Sequence, residues 1–432
     1  MRQEGESELL VRGKLLLASV SGSAVASNIL LQILLLERLS AAEDQKIFVS
    51  CLAIPAVITA VVFGPYQNIL VSKFCKRNST HEAWEVATSF FALFCPIILV
   101  SALGFSLWSP VYFGEFMTSA NQSSIYNCFL LLASGVPFNI GLAVIWAAAV
   151  AEEKIIELET IALLVGVICI VIAVLKSSLS PGWAALIYAI RYPLQLSLST
   201  RLIGVSRIRI NWRITRELLS GAEWASVLSL TGRFDQIAER MALVRVAGNT
   251  LTGYYMAQQI VSLVTSLVQK LVLLRDLPSF VRFRTDSSSV NRILSRSRRR
   301  LYISFFLVVG TGFFIVGLKQ TMLSGLIRPF LEGFSTEGFI YCLSILTIAV
   351  LIGAYSEFYA GICHAEGKSN RLAAANAPVA LIICGLKISL GIYFGWFLLP
   401  ILTLLAYSWT LVVARYMSRC SVSPGCSAEK GL

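Results

Sequence analysis

Apolar side chains fill this chain in long runs of about the length that crosses a bilayer. They fall at 15–36, 47–72, 86–108, 125–149, 156–175, 182–200, 218–246, 253–275, 301–318, 338–363, 373–392 and 394–414. The gaps between runs are short, polar and rich in Gly, Ser or charge. The pattern predicts an all-α polytopic membrane protein with about twelve transmembrane helices. The gap near Ile392 to Gly395 is so short that it reads equally as a tight hairpin or as one kinked region. The segment "VSRIRINWRITRE" separates six runs from six, which predicts two six-helix bundles, 1–208 and 209–420, around a central cavity. The Ser/Gly-rich tail, 421–432, reads as disordered and cytoplasmic, and the loop "RFRTDSSSVNRILSRSRRR" as holding a short amphipathic helix.

Charge fixes the orientation. Of the 36 basic residues, 24 fall in alternate connections and tails and 5 (Arg38, Lys46, Lys176, Lys319, Arg328) in the intervening ones. That asymmetry is what the positive-inside rule requires if both termini are cytoplasmic. Shifting the count by one helix would scramble it. The net charge of +12 is therefore topological, with anionic headgroups as the nearest partner and no nucleic acid expected.

Composition agrees: 56% of residues are hydrophobic and 14% are charged, against about 25% charged in soluble domains. Residues Met1 to Glu8 are polar and acidic, so no cleaved signal is expected. The ten cysteines lie mostly in apolar runs without CxxC spacing and read as packing residues. His81 and His364 read as loop residues, and no metal or cofactor is expected.

One run departs from the rest. "SLTGRFDQIAERMALVRV" carries Arg233, Asp235, Glu239, Arg240 and Arg245. A charge facing lipid at mid-depth costs about 2.5–3.5 kcal/mol, so these side chains must face protein or water. At helical spacing Arg233, Asp235, Gln236, Glu239 and Arg240 share an arc of about 160°, opposite Ile237, Ala238, Met241 and Val244. In the next run Tyr255, Gln258, Gln259, Ser262, Thr265, Ser266 and Gln269 form one uncharged hydrogen-bonding stripe. Two readings stand open. The charges line a wet cavity that takes phosphate and sugar, or they pair with one another as glue between helices. Arg191 and Lys387 are further intramembrane cations, and Glu357 reads as an ion site or as a partner for Lys387. Asn28 and Gln32, four apart, read singly as packing polar groups.

"GRFDQIAERMALVRVAGNTLTGYYMAQQI" resembles the seventh-to-eighth helix signature of polysaccharide (O-antigen type) flippases. These belong to the multidrug/oligosaccharidyl-lipid/polysaccharide exporter superfamily. Arg233, Asp235, Gly253, Tyr254 or Tyr255, and Ala257 carry the match. "IFVSCLAIPAVITAVVFGPYQNILVSKF" resembles the second helix of the related lipid II flippases. Those carry arginines in their first two helices and a basic residue after the Ala. Here the first two runs lack internal basic residues, and Gln258 and Gln259 follow Ala257.

The resemblance implies a flippase of the bacterial inner membrane. It would carry an undecaprenyl-pyrophosphate-linked oligosaccharide to the periplasmic leaflet. Arg233, Arg240, Arg191 and Lys387 would bind the anion, with Gln236, Tyr255, Gln258, Gln259 and Gln269 on the sugars. Asp235, Glu239 and Glu357 would balance charge or couple to H+ or Na+. Glycan polymerase or ligase proteins are the implied partners. A cation-coupled multidrug antiporter of the same superfamily is the alternative. A polytopic glycan ligase or polymerase is disfavoured, because no outer connection is long enough to be a catalytic loop.

Overall fold

A computed structural model describes residues 2–39, 41–77, 82–203, 209–219, 235–246, 250–268, 336–365 and 368–419, with isolated positions between 292 and 299. Its helices are α1 (Arg2–Arg38), α2 (Ala42–Arg77), α3 (Ala83–Leu103), α4 (Phe105–Phe113), α5 (Gln122–Ala151), α6 (Ile155–Leu175) and α7 (Pro181–Ile203). Then come α8 (Trp212–Leu219), α9 (235–244), α10 (Thr250–Val268), α11 (Thr336–Ala365), α12 (Ser369–Phe394) and α13 (Leu399–Arg419). Among the described residues only an isolated bridge, Leu39 to Leu179, is extended. Among the described residues, seven helices hold a stretch long and apolar enough to cross a membrane. The chain is an all-α, multi-pass membrane protein.

Every expected span except 301–318 coincides with a described helix, the seventh mainly from residue 235 onward. Span 301–318, Arg233, Gln269, the basic loop before residue 292 and the tail lie outside the described residues. The expected span 86–108 is two helices, because the chain breaks at Gly104 and restarts as α4. His364 lies in the last turn of α11 rather than in a loop. The short gap near 392–395 is a hairpin. Gly395 adopts φ 81°, a 3-10 turn follows at Trp396–Leu398, and α13 runs back along α12. Trp409 Nε1 donates to the Ala375 carbonyl at 3.4 Å, which fixes the antiparallel pairing.

In the first half α5 packs on α2, α3 and α7, while α6 packs on α1 and α7. Small residues permit the close approach: the stretch Ala147–Val150 is wholly buried, and Gly135 lies against Ala189 of α7. Phe105 of α4 stacks on Phe129 of α5 at 3.9 Å between centroids. In the second half α11 packs on α10 and α13, and α12 on α13. The halves meet where α10 lies on α1 and α2, and where α11 touches α2.

The alternation of connections is visible in three dimensions. Leu179 N donates to the Arg38 carbonyl at 2.9 Å, and Asn121 Nδ2 donates to Glu43 Oε1 at 2.9 Å. Those residues all belong to the basic-poor connections. At the other end Lys73 Nζ donates to the Glu217 carbonyl, and Asn211 Nδ2 to Glu85 Oε2 at 2.8 Å.

Candidate functional site

Two polar clusters are built on either side of α9. Neighbouring residues on a helix point about 100° apart, so Glu239 and Arg240 look in different directions. Glu239 turns toward α12 and α13, and Arg240 toward α2.

The first cluster surrounds Lys387 of α12, whose side chain is 0% exposed. Its Nζ lies 2.6 Å from Asp235 Oδ1, 2.5 Å from Glu239 Oε1 and 2.6 Å from Thr403 Oγ1. From α10, the Tyr254 hydroxyl donates to Glu239 Oε1 at 3.1 Å and Gln258 Nε2 donates to Glu239 Oε2 at 2.5 Å. Four helices meet on one carboxylate. Their close approach is permitted by Gly391 of α12, where a Cβ would come within 2.8 Å of the Ala242 side chain. Lys387 is thus a paired ion, rather than the open cation expected for an anion. Glu239 is paired with Lys387 rather than with Arg240. Lys387 takes its carboxylates from α9, while Glu357 is exposed on α11.

The second cluster lies where the halves meet. Arg240 is 8% exposed; its Nη1 donates to the Val49 carbonyl at 2.7 Å and its guanidinium lies 4.6 Å from the Tyr255 ring centre. The Tyr255 hydroxyl donates to Gln32 Oε1 at 2.6 Å. Four residues earlier on α1, Asn28 Oδ1 accepts from Arg191. Arg191 is also 8% exposed, lies 3.8 Å from the Tyr188 ring centre and donates to the Tyr192 hydroxyl. Asn28 and Gln32 are stacked on one face of α1, so they set the two arginine assemblies about one helical turn apart. The Asn28 and Gln32 pair, which reads singly as packing, therefore joins α7 of one half to α10 of the other.

Neither arginine has a carboxylate within ion-pair distance among the described residues. Ring faces and neutral oxygens supply only part of what such a charge loses on burial. Arg191 Nε is buried without a hydrogen-bond partner. Arg240 donates to a backbone carbonyl and Arg191 to the Asn28 amide oxygen and the Tyr192 hydroxyl, all of them neutral acceptors.

Of the remaining expected residues, Tyr255 is buried, while Gln236, Gln258 and Gln259 are partly exposed. Tyr255 and Gln258 spend their polar groups inside the protein, on Gln32 and Glu239. Sequence reasoning missed Tyr188, Tyr192 and Thr403, and took Tyr254 only as an alternative to Tyr255 in the matched motif. Tyr188 stands three residues before Arg191, a spacing that places ring and guanidinium on one helix face and was a usable signal. Thr403 in "LPILTLLAY" gives no signal of its own.

No protein-family model and no curated protein matches this sequence. Solved structures do match over nearly the whole chain. One is the eukaryotic MATE transporter AtDTX14, with a TM-score of 0.68 at 12% identity over 96% of this chain and 99% of that one. Another is the lipid II flippase MurJ in an inward closed conformation, with a TM-score of 0.69 at 13% identity over 94% and 87%. A third is a MOP superfamily transporter from Pyrococcus furiosus with a binding pocket of reverse polarity, with a TM-score of 0.68 at 11% identity over 95% of each chain. The chain shares the fold of these transporters.

Within that fold the two halves are clamped at one end. Arg245, beyond α9, donates from Nη2 to the Val111 carbonyl of α4 at 2.8 Å. Lys46 of α2 donates to the Val246 carbonyl at 3.2 Å. Gly114 permits the clamp: its φ is 55°, and a Cβ there would come within 3.3 Å of Arg245 Nε. Arg245 therefore holds a specific carbonyl, beyond the edge anchoring its position suggests. In Arg245→Ala, amide hydrogen exchange over 241–246 is expected to rise about tenfold, the effect of losing one charge-assisted hydrogen bond. Unchanged exchange there would mean that the clamp holds nothing.

Proposed function

We propose that this protein is a transporter that moves an anionic, lipid-linked oligosaccharide across the bacterial inner membrane. The observation that carries this reading is the pair of buried arginines, Arg191 and Arg240, at the junction of the halves with no carboxylate between them among the described residues. A guanidinium presents a planar fork that matches phosphate oxygens. An undecaprenyl-pyrophosphate glycan supplies such an anion, with sugars for the polar groups nearby and a lipid tail left in the bilayer. Arg233, adjacent in sequence to this region, adds a third cation in this reading. The two halves would rock about the site, exposing it to the cytoplasmic and then the periplasmic side. The clamp of Lys46 and Arg245 belongs to the basic-poor side, so in this state the periplasmic side is the one held shut.

The likeness to a MATE transporter supports a second reading, a cation-coupled multidrug antiporter, because it is as close as the likeness to the lipid II flippase. The cluster of Asp235 and Glu239 would serve a cationic drug only if Lys387 left it.

The test reconstitutes the purified protein in lipid vesicles with a fluorescent undecaprenyl-pyrophosphate oligosaccharide on one leaflet. A membrane-impermeant quencher is expected to reach the probe on the opposite leaflet several-fold faster than in protein-free vesicles. A second arm loads ethidium. Dye efflux without glycan movement would replace the flippase reading by the antiporter one.

A further inference from the structure

Lys387 takes no part in the anion site above, and it is the most completely buried charge among the described residues. Its partners are arranged in a way that one ion pair does not require. Two carboxylates, Asp235 and Glu239, face a single ammonium, with the Thr403 hydroxyl as a third oxygen. All three oxygens lie 2.5–2.6 Å from the nitrogen. Converging oxygens, some of them anionic, are what a hard metal cation also takes. Lysine carries a compact point charge on a flexible stem, so it can place such a charge deep inside a bundle.

The cradle is held from outside the lysine. The Tyr254 hydroxyl and the Gln258 amide fix Glu239 from α10. The Thr403 hydroxyl lies 2.8 Å from Glu239 Oε1 and 3.0 Å from the Leu399 carbonyl. Removing the ammonium would therefore leave most of the oxygen donors in place.

We propose that Asp235, Glu239 and Thr403 form a monovalent-cation site that the chain fills with its own Lys387 ammonium. The native protein then has no need of a free alkali cation here, and a protein stripped of the ammonium acquires one. The proposal does not depend on what the arginines bind, and its test uses no transport substrate.

The experiment measures thermal unfolding of the full-length protein in detergent, in sodium, potassium, lithium or N-methyl-D-glucamine chloride at equal ionic strength. The native protein is expected to melt alike in all four. Lys387→Ala is expected to melt lowest in N-methyl-D-glucamine chloride and about 3 °C or more higher in an alkali salt near tenfold its dissociation constant. The double variant K387A/E239Q, which lacks a ligand, is expected to lose that response. Equal melting of Lys387→Ala in all four salts would overturn the proposal. If Lys387→Ala yields no folded protein, it is extracted in methylammonium chloride, which returns the missing ammonium. Recovery there, or in an alkali salt, supports the site. Failure in every salt, while the uncharged pair K387M/E239Q folds, overturns it.

Discussion

Arg240→Gln is expected to cut glycan flipping by at least tenfold, and the double variant with Arg191→Gln by more than a hundredfold, at unchanged protein level. Each guanidinium would contribute a charge-assisted contact to the anion of about 1.5–3 kcal/mol, which converts to roughly these factors. The stability readout separates this from a structural role. A buried charge with a carboxylate partner costs about 3–5 kcal/mol when the pair is broken. Arg191 and Arg240 have no such partner among the described residues, so replacing them strands no opposite charge. Arg240 loses one bond to the Val49 carbonyl and one ring contact; Arg191 loses Asn28, the Tyr192 hydroxyl and its contact with the Tyr188 ring. Near-native melting with lost flipping is the expected combination. Full flipping by the double variant in the vesicle assay would end the anion-site reading.

The opposite combination is expected at Glu239. Its carboxylate is 2% exposed and receives Lys387, Tyr254 and Gln258, with Thr403 alongside. Glu239→Ala leaves Lys387 with Asp235 as its one carboxylate and the Thr403 hydroxyl beside it, and strips an acceptor from three neutral donors. The cost is expected at about 3–5 kcal/mol, a fall on the order of 5–10 °C in the melting temperature. Asp235→Asn should cost less, because that side chain is 18% exposed and meets only the lysine. A Glu239→Ala protein that melts like the native one would mean that the cluster contributes no net stability. These two expectations are opposed by design: if both hold, charges on the same helix, five residues or fewer apart, divide between holding the fold and meeting a substrate.

The division was not legible in the sequence, and the reason is geometric. The spacing of Asp235, Glu239 and Arg240 placed them correctly on the polar side of a buried helix. It left open whether the acids neutralised an arginine of their own helix or faced something else. The partner, Lys387, lies 148 residues away on α12. Nothing local to α9 identifies it, and Glu357, closer to Lys387 in sequence, was the natural expectation. Likewise Asn28 and Gln32 read as packing residues because each is unremarkable alone. Their role depends on α1 lying between α7 and α10. The hydrogen-bonding stripe of α10 was real as a pattern. Its members Tyr255 and Gln258 nonetheless spend their polar groups on Gln32 and Glu239, because α1 and α9 lie against that face.

What the sequence by itself determined was the all-α, multi-pass class, most of the long helices among the described residues and the region where charge enters the bundle. Hydropathy is nearly additive along a chain, and lipid offers no hydrogen bonds, so every apolar run of sufficient length must become a helix that satisfies its own backbone. The excess of basic residues in alternate connections is the further signal from which an orientation is expected. What only the tertiary structure decided was which charge meets which. A buried ion pair depends on contacts of about 3 Å between helices far apart in sequence, and a one-residue step turns a side chain by about 100°. That step is the difference between Glu239, committed to Lys387, and Arg240, left to face the junction of the two halves.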